Sequence, residues 1–162
     1  MIEHYGADSS RIEIVPCGFD PAELEPVDRL EARAQLQWPS DAFTVLQLGR
    51  MVPRKGVDNV IRAIAVLKNR FGLDARLVIA GGNSSDPAMN HTPELERLAR
   101  IAQAEGVADR VEFIGRCDRD RLRTVYSAAD VFVTTPWYEP FGITPVEAMA
   151  CGCPVVGSAV GG

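Results

Sequence analysis

Residues 130–157 read DVFVTTPWYEPFGITPVEAMACGCPVVG. The stretch holds a strand, a loop, a helix and a second strand. DVFVTT (130–135) is a short run of β-formers. Thr144-Pro145-Val146-Glu147 has capping-box spacing, with Thr at the N-cap and Glu at the third helical position, so a helix is predicted over 145–151. PVVG (154–157) is the next strand. Two glutamates, Glu139 and Glu147, frame the Pro-Phe-Gly turn at the start of that helix.

The same alternation runs back through the chain. FTVLQL (43–48) is a strand that ends in Gly49, and apolar residues at 57, 60, 61, 64 and 67 then draw a helical stripe. ARLVIA (75–80) is a buried strand closed by Gly81-Gly82. Thr92-Pro93 reads as an N-cap followed by proline at the first helical position. Leu95, Leu98, Ile101 and Ala102 share one face of that helix, and Gly106 stops it. RVEFIG (110–115) is a strand and 119–128 a helix. Residues 82–92 form the longest loop. Strands apolar on both faces and joined by helices imply an α/β fold: a Rossmann-like, doubly wound parallel sheet with helices on both faces and right-handed crossovers.

Composition excludes several classes. The 162 residues suffice for one ordinary domain, and 46% apolar with 24% charged residues is a globular composition. Seventeen basic against 22 acidic side chains give a net charge of -5, which argues against nucleic acid as a partner. The five arginines of 109–123 face four acids in the same stretch and read as a solvated surface. No apolar run is long enough for a membrane span. MIEHYGADSSRIE, the first residues, has neither a basic start nor an apolar core, so a cytoplasmic location is expected. Cys17, Cys117, Cys151 and Cys153 lack zinc spacing and read as reduced, packed residues. His4 and His91 fall in predicted surface loops. Residues 1–20 are expected to be an interdomain linker and 21–162 a Rossmann-like domain truncated at its C-terminus.

Two loops carry the chemistry. In open parallel sheets, ligands bind beyond the C-terminal ends of the strands. GRMVPRKG (49–56) leaves a strand and enters a helix with Arg50, Arg54 and Lys55, cations beside unpaired helix N–H groups, which suit an anion. It is not a Walker A loop, and no strand leads into G-x-G-x-x-G. The other loop offers Glu139 and Glu147, acceptors for sugar or ribose hydroxyls, together with the amides of Phe141, Gly142 and Ile143. Trp137 and Tyr138 either wall this pocket or pack in the core. Phosphate groups and vicinal hydroxyls occur together in a nucleotide sugar.

EPFGITPVEAMACGCPVV, with its E-x7-E frame, resembles the retaining glycosyltransferases of family 4 (group 1), which have two Rossmann-like domains facing across a cleft (the GT-B architecture). GRMVPRKG resembles the family's basic loop, VPCGFD (15–20) the start of its second domain, and RVEFIG the loop beside the base. Cys17 stands where the family often has Asn. The resemblance implies that Arg50 and Lys55 bind the donor diphosphate and stabilise the leaving nucleoside diphosphate, with Arg54 peripheral. It implies Glu139 at the sugar near the reacting centre, Glu147 at the ribose, the amides of Phe141, Gly142 and Ile143 at sugar hydroxyls or phosphate, and backbone near Gly115 and Arg116 at the base. It implies catalysis without a bound metal or other cofactor, and an acceptor domain N-terminal to this one. The chain alone is then expected to bind donor but transfer little. An epimerase or phosphorylase of the same architecture, or a non-catalytic α/β binding module, is the alternative.

Overall fold

A computed structural model describes residues 2–15, 18–89 and 91–161. After a short helix α1 (Ile2–Tyr5) come α2 (Arg29–Leu36), β1 (Phe43–Leu48), α3 (Val57–Phe71), β2 (Ala75–Ala80), α4 (Pro93–Ala104), β3 (Val111–Phe113), α5 (Arg119–Ala128), β4 (Val131–Thr134), α6 (Ile143–Ala150) and β5 (Val155–Gly157). The five strands form one parallel sheet in the order β3-β2-β1-β4-β5. The expected Rossmann-like α/β fold is the observed one.

Alternating strand residues divide the core in two. Val45, Leu77 and Ile79 face α3 and α4, where Val57, Val60, Ile61, Ile64, Leu95, Leu98 and Ala102 are buried. Leu46, Val78 and Phe132 face α2, α5 and α6, against Ala32, Val125, Tyr126, Ala128 and Ala148. Each fully buried aliphatic side chain contributes roughly 1.5–3 kcal/mol, so the α3 stripe is ample reason for that helix to pack where it does.

Strand and helix ends explain the small departures from the sequence reading. Arg110 lies in a 3-10 turn and Gly115 takes φ 76, which trims the third strand to three residues. Helix α2 has no counterpart in the sequence reading. Its N-cap is Asp28, whose carboxylate accepts from the amides of Leu30 at 2.9 Å and Glu31 at 3.0 Å. His4 is exposed on α1 and not in a loop. Among the described residues no helix is long and apolar enough to cross a membrane.

The sixth helix starts earlier than capping-box spacing predicts. Its N-cap is Gly142, at φ 67, and its first residue is Ile143, so Thr144 is already helical and Glu147 is the fifth helical residue. A positive φ is open to glycine at little steric cost. Pro145 falls within the first turn, where a missing N–H breaks no intrahelical bond. The Thr144–Glu147 capping box is therefore absent, and Glu147 is released for another contact.

Candidate functional site

Strand order places the two chemical loops side by side. The chain builds outward from β1 through β2 to β3, then returns to lay β4 against the other edge of β1. Between β1 and β4 the connections depart in opposite directions, and the C-terminal side of such a switch point is a crevice. Loop 49–56 follows β1 and loop 135–142 follows β4.

The two loops are sewn together. The β1–β4 ladder pairs only Val45 with Val131 and Leu46 with Phe132. Past it, the Thr135 hydroxyl donates to the Gly56 carbonyl at 2.7 Å. The Trp137 amide donates to the Arg54 carbonyl at 2.9 Å. The Arg54 guanidinium donates to the Tyr138 carbonyl at 3.2 Å. Pro53 opens a 3-10 turn over Pro53–Lys55 and Gly56 ends it at φ 63, which turns the Lys55 ammonium towards Glu139, its ion-pair partner.

Both side chains of that pair are mostly buried, 14% exposed for Lys55 and 16% for Glu139. Burial alone would push the Glu139 carboxyl up. The Lys55 hydrogen bond and charge, with the amides of Gly142 and Phe141, outweigh it and hold the carboxyl below the usual range. Two of the three amides expected to serve a ligand thus hold Glu139. Loop 135–142 makes its own anion cradle, filled by its own carboxylate.

Glu147 sits across from α5. Its Oε2 accepts from the Tyr126 hydroxyl at 3.0 Å. Tyr126 is fully buried, with its ring edge-on to Phe132 at 5.7 Å. Burial first, and the Glu147 charge second, push the Tyr126 hydroxyl far above its ordinary pKa, so it stays a donor. Among the described residues Oε1 of Glu147 takes no hydrogen bond.

Arg50 opens onto a cavity of about 260 Å³ between the ends of β1 and β2, with Gly81, Gly82, Arg116 and Cys117. Its side chain makes no ion pair among the described residues. The Gly81 amide donates to the Gly115 carbonyl and the Arg116 amide to the Ser84 carbonyl, both at 2.7 Å, so the long loop 81–92 docks on the strand end expected beside the base. The Arg116 guanidinium pairs with Asp118 at 3.3 Å. A cleft of about 430 Å³ near Arg76 and Arg110 lies at the opposite, N-terminal ends of the strands, away from both loops.

Some expectations change on these facts. Trp137 and Tyr138 are exposed, 77% and 60%, so the core alternative fails for both. Arg54 is a structural stitch between the loops. Arg119 and Arg123 of the basic stretch pair with Glu23 and Glu25 at the surface. Cys117, Cys151 and Cys153 are free, the last two buried; Cys17 lies outside the described residues. Among the described residues no cluster of three or more His, Cys, Asp or Glu could hold a metal. Sequence reading missed Tyr126 and Thr135, whose roles depend on contacts across 21 and 79 residues.

The loops after β1 and β4 therefore carry Arg50 and the Lys55–Glu139 pair, and α6 behind the second loop carries the anchored Glu147. A diphosphate can take the cations, and hydroxyls can take the carboxylates. The family model described as glycosyl transferases group 1 matches residues 28–162. D-inositol 3-phosphate glycosyltransferase of Acidothermus cellulolyticus is 41% identical over 165 residues, covering all of this chain and 36% of that protein. The same-named protein of Mycolicibacterium vanbaalenii is 40% identical, again over 36% of its length. The chain spans about a third of the length of these curated relatives. Among solved structures, sucrose-phosphate synthase of Thermosynechococcus elongatus superposes with a TM-score of 0.82 at 38% identity, over 99% of this chain and 38% of that one. Anabaena HepE, solved with UDP and glucose, superposes with a TM-score of 0.73 at 28% identity, over 90% of this chain and 37% of its own.

Proposed function

The chain belongs to the group 1 glycosyltransferases, and from that premise we propose that it is the donor-binding half of a retaining, GT-B enzyme that moves a sugar from a nucleoside diphosphate to an acceptor hydroxyl. One observation carries this reading: Lys55 and Glu139 meet across the switch point of the sheet.

Arg50 and Lys55 take the diphosphate. As the bond to the sugar breaks, negative charge grows on the departing diphosphate, and fixed cations in a partly dry crevice stabilise that charge more than they stabilise the ground state. Glu139 then exchanges its partner: the ammonium turns to phosphate, and the carboxylate accepts from sugar hydroxyls near the reacting carbon. The amides of Phe141 and Gly142 keep Glu139 ionised and in place, and that of Ile143 opens the helix beside them. Glu147, pinned through one oxygen by Tyr126, offers the other to the ribose hydroxyls. The base lies over Gly115 and Arg116. The cations take the part a divalent metal ion has at other departing diphosphates, so no metal is required. The acceptor is held by residues outside this chain.

Calorimetric titration with UDP, GDP and ADP, with and without Mg²⁺, tests the proposal on the wild type and on the Arg50→Ala, Lys55→Ala double variant. The expected result is Mg²⁺-independent binding of one diphosphate that the double variant loses. Equal binding by the folded double variant would refute it.

A further inference from the structure

We propose that Thr135 is a positioning residue, acting with Gly56 as a backbone staple that sets the distance between Lys55 and Glu139 and hence the shape of the anion-binding crevice. The inference extends the proposed donor site to residues that touch no ligand.

The argument begins where the sheet stops. Ladder pairing between β1 and β4 ends at Leu46 and Phe132. Lys55 and Glu139 lie well beyond it, on loops that no strand hydrogen bond holds together. Their separation must be fixed by something else. Gly56 and Thr135 supply a close backbone approach along this seam. A Cβ built on Gly56 would stand 2.0 Å from the Thr135 carbonyl oxygen and 2.9 Å from its carbon, and Gly56 sits at φ 63. Such a contact can be relieved only by moving one backbone away from the other. The Thr135 hydroxyl closes the same contact in the other direction, donating to the Gly56 carbonyl at 2.7 Å. Lys55 is the residue before Gly56. Glu139 follows Thr135 by one turn-forming stretch that is pinned again at Trp137 and Tyr138 by Arg54. A displacement at the staple therefore passes directly to both charged groups.

Thr135 is chemically separable from its shape. Thr135→Val keeps the branched outline and removes the donor, leaving the buried Gly56 carbonyl with the Asn59 amide at 3.0 Å but without its tie to the facing loop. Thr135→Ser keeps the donor.

The experiment follows the Glu139 carboxyl by carbon-detected NMR titration, and diphosphate binding by calorimetry, in the wild type and in Thr135→Val, Thr135→Ser and Gly56→Ala. Gly106→Ala serves as a control, since Gly106 has φ 68 but open space around its Cβ position. Thr135→Val is expected to move the Glu139 midpoint up towards that of an ordinary glutamate and to weaken diphosphate binding about tenfold, the scale of one well-placed hydrogen bond. Thr135→Ser should restore both. Gly56→Ala should exceed Thr135→Val, and Gly106→Ala should leave the Glu139 midpoint unchanged. Should Gly56→Ala fail to fold, the Val and Ser pair decides. A folded Thr135→Val with the wild-type Glu139 midpoint would overturn the staple. If the wild type binds no diphosphate, the functional reading fails, and the NMR titration still tests the staple.

Discussion

Two ion pairs sit at opposite ends of the same pair of strands. Below the sheet, Asp130 precedes β4 and meets Arg33 of α2 at 2.6 Å. Above it, Glu139 follows β4 and meets Lys55. Their surroundings differ in completeness. Arg33 is nearly buried and donates from each guanidinium nitrogen, to the Ala128 carbonyl at 2.9 Å, the Ser40 carbonyl at 2.7 Å and Asp130. Asp130 also accepts from the Thr44 amide at 2.7 Å and pairs with Arg29. That is a network in which each of the three Arg33 guanidinium nitrogens has an acceptor. Lys55 has three N–H donors and spends one on Glu139; both residues stand on loops at the mouth of a crevice. A cation tied to three acceptors holds a fold, and a cation tied to one at a strand's C-terminal end is available to exchange partners.

The contrast can be broken at either end. Asp130→Ala leaves the Arg33 guanidinium buried without its counter-ion, and a loss of about 3–5 kcal/mol is expected in urea unfolding. Glu139→Gln keeps the outline of the upper pair and frees Lys55. Diphosphate affinity should hold or rise, the extra affinity for the matching nucleotide sugar should fall by on the order of tenfold to a hundredfold, and stability should fall by less than in Asp130→Ala. Tight sugar-nucleotide binding by this variant would remove Glu139 from the sugar. Tyr126→Phe keeps the buried ring against Phe132 and deletes only the bond to Glu147. A stability loss of about 1 kcal/mol is expected, and calorimetry should show weaker binding of the nucleoside diphosphate but unchanged binding of inorganic pyrophosphate.

Acid should reveal both pairs. Burial raises each carboxyl. For Asp130 the Thr44 amide, Arg29 and Arg33 outweigh it, and for Glu139 Lys55 and the loop amides do so, leaving both below their ordinary values. A carboxyl lowered in the folded state adds stability above its unfolded pKa and loses it as pH falls through the folded one. Melting curves should therefore fall below the ordinary carboxylate range, and Asp130→Asn should flatten that acid limb.

Much of this was legible in residue order. The stripe from Val57 and the runs 43–48 and 75–80 define elements because burial on one face or two leaves a period in the sequence. The two loops stood out because cations and acids cluster at strand ends. Glu147 misled: local spacing offered a capping box, but Gly142 could start the helix two residues earlier, and the carboxylate went to Tyr126. Thr135 and Tyr126 gave no local signal, since a hydroxyl's partner is chosen by the fold. Helix α2 had one, Asp28 followed three residues later by Glu31, and its few buried residues hid the apolar period.

The most direct measurement crosses the two pairs. Diphosphate affinity and unfolding free energy are determined together for Lys55→Ala and Asp130→Ala. The account predicts that Lys55→Ala loses about a hundredfold in affinity and less stability than Asp130→Ala, and that Asp130→Ala loses stability while its folded fraction binds as the wild type does. If Lys55→Ala binds like the wild type, or if the two variants lose affinity and stability in the same proportion, the upper pair is only another structural tie and the switch-point crevice is not where the diphosphate binds.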